Sequence, residues 1–128
     1  MNPLERLPHR PPFLMLDRVL LLEPGAWAAA VKNVAYDDAH TAADGGWPSV
    51  LLAEMMAQTA GLAAGGGGGN ALVAKLDRFR CRGRVAAGDR LLASARVVRR
   101  LGASVIVRSS VRVNGRRCAA AEIVLRFV

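Results

Sequence analysis

Cysteine and aromatic side chains are scarce in this chain of 128 residues: Cys81 and Cys118 are its only thiols, and two Trp, one Tyr and three Phe make up 5% of it. Two cysteines outside any metal-type spacing leave no material for a zinc site or a disulfide framework, so no metal is expected. No apolar run reaches the roughly 18 residues that a bilayer span requires, and the opening ten residues carry Pro3, Glu5, Pro8 and His9 in place of a basic-then-apolar leader. A cytoplasmic protein without a membrane span is therefore expected. Acid is short in the second half: residues 1–69 hold four Lys/Arg against seven Asp/Glu, and residues 70–128 hold fourteen against three. That asymmetry favours an anionic partner. With so few aromatics and no basic recognition helix, nucleic acid is the least suited of the candidates.

The chain does have enough apolar residues, 52%, to bury a core, and its length predicts one domain over residues 1–128. Strands are predicted at 13–22 and 26–34, separated by Pro24-Gly25, with a polar loop over 36–47. A helix is predicted over 50–64, with Pro48 and Ser49 as start signals, Ser49 as a cap and Gly65 as the stop. The glycines Gly65 to Gly69 form a connection too short to separate a pair of domains, and no Lys-Ser/Thr follows them to make a phosphate loop. Strands follow at 71–79 and through the alternating Val105, Val107, Val111 and Val113. Asn114-Gly115 is a type I′ hairpin signal, and 117–128 closes the sheet. Two strands, one helix and four long strands make an α+β pattern in which an antiparallel sheet covers a single helix.

That helix is apolar on every side, which predicts burial, and Glu54 is its only ionisable residue. A buried lone carboxylate costs several kcal/mol (~3 or more) unless it is paired or protonated, so Glu54 reads as a working acid or base, with Gln58 one turn on as an amide partner. His40, in the preceding loop, is of the residue type best suited to proton transfer at physiological pH, and the helix-start N–H groups near Ser49 and Val50 offer an oxyanion-type site. Among the remaining residues, His9 reads as the anchor of a proline-rich turn ahead of a site role, Trp27 and Phe127 as core, Met55 and Met56 as packing or tunnel lining, and Asp17 with Arg18 as a structural pair or an interface contact.

Leu7-Pro8-His9-Arg10-Pro11-Pro12-Phe13-Leu14-Met15-Leu16-Asp17-Arg18-Val19 resembles the opening signature of the (3R)-hydroxyacyl-[acyl carrier protein] dehydratases. Trp47-Pro48-Ser49-Val50-Leu51-Leu52-Ala53-Glu54-Met55-Met56-Ala57-Gln58 is similar to that family's helix start, and Arg78-Phe79-Arg80, Gly88-Asp89 and the Asn-Gly hairpin follow in the family's order. The resemblance implies a hot-dog fold, a long central helix wrapped by an antiparallel sheet of five to six strands. It also implies a catalytic pair at the family's spacing of fourteen residues, His40 and Glu54. His40 would take the C2 proton of a 3-hydroxyacyl thioester, while Glu54 of the partner subunit would help the C3 hydroxyl leave as water. Trp47, Pro48, Ser49, Val50 and Gln58 would bind substrate. No cofactor is implied.

The acyl chain would ride on the phosphopantetheine arm of an acidic acyl carrier protein, for which Arg78, Arg80, Arg82 and Arg84 are the contact candidates, and the protein would be a homodimer or an assembly of dimers. The loop departs from the family: His40-Thr41-Ala42-Ala43-Asp44-Gly45-Gly46 stands where His-Phe-Pro-Gly is usual, and Ser49 replaces a glycine. In this it resembles the dehydratases of aryl-polyene and related pigment pathways. Two rivals stay open, a hot-dog acyl thioesterase using the same carboxylate and a non-catalytic subunit that binds the carrier protein.

Overall fold

The computed structural model describes residues 2–11, 13–65 and 71–128. A 3-10 turn, Pro3–Arg6, precedes β1 (Arg18–Glu23), β2 (Trp27–Asn33), α1 (Val50–Ala64), β3 (Ala71–Cys81), β4 (Arg90–Leu101), β5 (Ser104–Val113) and β6 (Arg116–Phe127). The strands form one antiparallel sheet in the order β1-β2-β4-β5-β6-β3, with α1 laid along its inner face. This is the hot-dog architecture that the family likeness implies. The glycine connection expected after the helix lies, beyond Gly65, outside the described residues.

Strand alternation generates the core. Leu91, Ala93 and Ala95 of β4, Val105, Val107, Val111 and Val113 of β5, and Ile123 and Leu125 of β6 point inward onto Leu52, Met55, Met56 and Ala60 of the helix. Met55 and Met56 have no exposure at all, so they are packing. Small residues on the sheet let the helix approach closely, and the helix end shows how closely. Gly65 is left-handed (φ 65°), and a Cβ there would sit 2.6 Å from the Gly25 nitrogen. The Gly25 N–H donates to the Ala63 carbonyl at 2.8 Å, and the Arg100 guanidinium donates to that of Ala64. The helix C-terminus is thereby tied to the Pro24-Gly25 turn.

The fold differs from the sequence-based expectation in the following places. The first strand begins at Arg18, not at residue 13: Met15 and Leu16 instead pack into the core, and Gln58 of the helix takes up the Phe13 carbonyl and the Met15 N–H. Trp27 is 42% exposed on the outer sheet face, not core, because its strand neighbours Ala28 and Ala30 take the inward positions; Phe127 does pack against the core. Asp17 does not pair with Arg18; it accepts from the Asn33 N–H at 2.7 Å and from Lys32 at 3.4 Å. Finally, the helix is not buried all round. Val50 is 67% exposed and Ala53, Glu54, Ala57 and Gly61 are half-buried, a stripe at helical spacing that the single chain leaves partly uncovered.

Candidate active site

Glu54 lies on that stripe, where the 3-10 turn and the segment after it cross the helix. Its side chain is 43% exposed, so the solitary buried acid expected from the sequence is in fact a half-open, well-partnered one. Gln58, one turn on and 1% exposed, is the hub. Its Oε1 accepts from the Met15 N–H at 2.8 Å, and its Nε2 donates to the Phe13 carbonyl at 2.9 Å and to Glu54 Oε1 at 2.9 Å. One buried amide therefore stitches the N-terminal segment to the helix and orients the carboxylate.

The imidazole that meets Glu54 within this chain is His9, with Nε2 3.2 Å from Oε1. Sequence reasoning put a turn-anchoring role for His9 ahead of a site role. Leu7, two residues before it, is buried and packed near Gly61, which carries this segment across the helix. His9 Nδ1 is buried with no hydrogen-bond partner among the described residues.

His40 lies in the loop between β2 and the helix, half-buried. Its loop is anchored by charge. The His40 N–H donates to Asp38 Oδ1 at 3.1 Å, and Asp38 pairs with Lys32 at 2.8 Å. Burial works to raise the Asp38 pKa, but the Lys32 ammonium and the His40 N–H prevail and hold it below the usual carboxylate range. Burial likewise works to lower Lys32, and Asp38 and Asp17 together hold it above the usual lysine value.

A second feature sits at the helix start, a cavity of about 350 Å³ whose lining includes Trp47, Pro48, Ser49 and Leu52 from the helix side and Cys81, Gly83 and Arg84 from the end of β3 and beyond. Ser49 does not cap the helix. It sits at helical φ and ψ with no side-chain cap bond, because the turn is closed by Leu51 N–H to the Pro48 carbonyl and Leu52 N–H to that of Ser49. The N–H groups of Ser49 and Val50 consequently have no acceptor among the described hydrogen bonds, and Trp47 Nε1, buried, also lacks a partner there. Orphan donors at a helix N-terminus suit a carbonyl oxygen that gains negative charge. Of the five expected substrate contacts, Trp47, Pro48 and Ser49 line this cavity, Val50 points to solvent, and Gln58 lies under Glu54.

The four arginines proposed for the carrier protein do not form one row. Arg84 is held beside Asp44 at 3.3 Å near the helix start, whereas Arg78 and Arg80 line a trough on the opposite, outer face of the sheet; Arg82 is exposed between them, its backbone N–H on the Cys118 carbonyl. β3 ends at Cys81, before Arg82 and Arg84, and a β-bulge falls at Arg78. The β3–β6 register slips between Asp77 and Arg80, and Arg78 takes the left-handed conformation (φ 54°), which costs an L-residue about 1–2 kcal/mol. No cluster of three or more His, Cys, Asp or Glu that could hold a metal ion occurs among the described residues, and no helix there is long and apolar enough to cross a membrane.

Comparison with known proteins follows the same lines. A FabA-like domain is recognised over residues 7–122. The chain is 36% identical over 127 residues to the 3-hydroxyacyl-[acyl-carrier-protein] dehydratase FabZ of Listeria monocytogenes serotype 4b, covering 93% of this chain and 88% of that one. It is 41% identical over 96 residues to the FabZ of Symbiobacterium thermophilum, covering 69% and 68%. Among solved structures, a chain of the dehydratase heterocomplex ApeI:P from Xenorhabdus doucetiae superposes with a TM-score of 0.89 at 16% identity, covering 100% of this chain and 91% of that one. By sequence and by fold, the chain belongs to the FabA-like domain family.

Proposed function

We propose that this protein is a 3-hydroxyacyl-[acyl-carrier-protein] dehydratase, a hydro-lyase of fatty acid or related lipid and polyene biosynthesis that converts a 3-hydroxyacyl thioester to the trans-2-enoyl thioester. The observation that carries the reading is the oriented carboxylate of Glu54, locked by Gln58 beside an imidazole, on a helix whose first N–H groups are open. The likeness to FabZ over most of the chain supports it.

In this reading His40 removes the C2 proton and becomes imidazolium. The thioester oxygen, held by the N–H groups of Ser49 and Val50, carries the enolate-like charge. The C2 electron pair then forms the C2–C3 double bond as the C3–O bond breaks, and the departing hydroxyl takes a proton from Glu54 to leave as water. Passage of the His40 proton back to Glu54 through solvent resets the pair. In this reading the pair is assembled in a homodimer, with Glu54 of the partner subunit facing His40. The half-open stripe from Val50 to Gly61 and the exposed apolar residues of edge strand β3, Leu72, Val73 and Leu76, are the surfaces such a dimer covers.

A second reading is favoured by one distance: His9, 3.2 Å from Glu54, supplies the imidazole within one chain. A 3-hydroxyacyl thioester assayed for enoyl ultraviolet absorbance and for free thiol separates the chemistries. Enoyl product without thiol is expected; thiol release without enoyl product would mean a thioesterase. Loss of about 10²–10⁴ in turnover is expected for His40→Ala. Full activity in His40→Ala together with its loss in His9→Ala would instead assign the base to His9.

A further inference from the structure

Residues 34–47, which carry His40 from β2 to the helix, contain no proline and include the pair Gly45-Gly46, so covalent restraint does little to stiffen them. A base has to meet its proton within hydrogen-bonding reach, and a misplacement of about 1 Å can lower a rate by about a hundredfold. The stiffness that His40 needs in this loop therefore comes from hydrogen bonds and charge.

Asp38 supplies both. Its Oδ1 accepts from the His40 N–H at 3.1 Å and its carbonyl accepts from the Thr41 N–H at 3.0 Å, so one residue grips the chain at the imidazole and just beyond it. The Thr41 hydroxyl donates in turn to the Ala35 carbonyl at 2.6 Å. The Asp38 carboxylate is itself fixed from β2, where Lys32 Nζ lies 2.8 Å from Oδ2.

The same ammonium reaches toward the other half of the site. It lies 3.4 Å from Asp17 Oδ1, and Asp17 is seated against β2 by the Asn33 N–H at 2.7 Å and by its own N–H on the Val31 carbonyl at 2.8 Å. Two residues earlier, the Met15 N–H donates to Gln58, the amide that orients Glu54. Lys32 thus joins the loop that carries His40 to the segment that frames Glu54.

Stability alone is a poor reason for such a pair. The Lys32 and Asp38 side chains are only 13% and 11% exposed, whereas Arg84 and Asp44 pair with more than half of each side chain open to solvent. Enclosing two charges takes back in lost hydration much of what their attraction provides, and the use best attested for enclosed pairs is to fix a register.

We propose that Lys32 and Asp38 are positioning residues for the base: their ion pair sets the place of His40 relative to the segment that frames Glu54. This inference rests on the reading of His40 as the group that removes the C2 proton.

The test uses the full chain and a short 3-hydroxyacyl N-acetylcysteamine thioester, with Asp38→Ala and Asp38→Asn each made in wild type and in His40→Ala. In Asp38→Ala, kcat is expected to fall about tenfold to a hundredfold with KM within about twofold of wild type. Asp38→Asn keeps an oxygen for the His40 N–H but not the charge for Lys32, and is expected to lose less, about threefold to tenfold. In the His40→Ala background neither change lowers turnover further, because a group that acts only through the base has nothing left to place. Equal losses in both backgrounds would make the pair merely structural and overturn the proposal, as would wild-type turnover in either folded variant. Asp38→Asn carries the test alone if the alanine variant does not fold.

Deuterium exchange of the His40 amide, read by NMR, needs no turnover. It is expected to quicken about tenfold or more in Asp38→Ala, beyond any change in the β2 amides. Should wild type fail to dehydrate the thioester, the enzyme reading falls while the amide exchange still decides the anchor, and a rate equal to that of wild type overturns it.

Discussion

Gln58 shows how much one side chain can carry. A buried amide that serves Met15, Phe13 and Glu54 at once cannot be shortened without leaving main-chain groups unsatisfied. Gln58→Ala is expected to cost about 3 kcal/mol, measured as a lower urea midpoint at constant slope, and to free Glu54 from its orientation. The Lys32–Asp38 pair makes a prediction in pH. Asp38 is depressed on folding, so its contribution is present above the unfolded carboxylate pKa and is lost as acid takes pH down through its lower folded value. Lys32 is raised, so its share is lost only as pH climbs through its elevated value. In Asp38→Asn the acid limb of the stability curve flattens relative to wild type. Acid unfolding profiles of equal slope for the two proteins would contradict that coupling.

Which partners Glu54 has was only half legible in the sequence. Gln58 at i+4 on the helix is a local relation, so spacing alone exposes it. His9 reaches Glu54 across forty-five positions, and no periodicity reports a contact made by an irregular segment. The premise that Glu54 is solitary failed for the same reason.

Among the elements, the helix was the most legible, its observed bounds of Val50–Ala64 matching those expected from an uninterrupted apolar run stopped by glycine. What the run could not reveal is that its N-terminus lacks a cap. Ser49→Ala is therefore expected to change stability by less than about 0.5 kcal/mol, where a true serine cap would lose about 1 kcal/mol. A larger drop in thermal midpoint would mean that the hydroxyl works after all. At the other end, Gly65→Ala combines a left-handed φ with a Cβ against the Gly25 backbone, and is expected to cost about 2 kcal/mol or more. The β5–β6 hairpin was equally plain, since Asn114 and Gly115 both take positive φ, as the type I′ turn demands. The start of β1 was misread because Leu14, Met15 and Leu16 are apolar for a reason other than strand formation: they pack into the core beside the helix.

On the scale of the whole molecule, the six-stranded sheet divides two chemistries. Its inner face holds the helix with Glu54, and its outer face collects arginine. The charge asymmetry between the halves of the sequence announced the second without locating it, because bulges and strand register, not composition, decide where each guanidinium points. The same sheet leaves β3 as an edge with Leu72, Val73 and Leu76 exposed, in keeping with a subunit that is completed by a second copy.

The most direct measurement is the rate at which Glu54→Gln converts a carrier-borne 3-hydroxyacyl thioester to its enoyl product. Because Glu54 is half exposed and Gln preserves its shape, the variant is expected to melt within a few degrees (~3 °C) of wild type while turnover falls about 10²–10⁴-fold. Turnover at the wild-type rate in a folded Glu54→Gln protein would contradict the account.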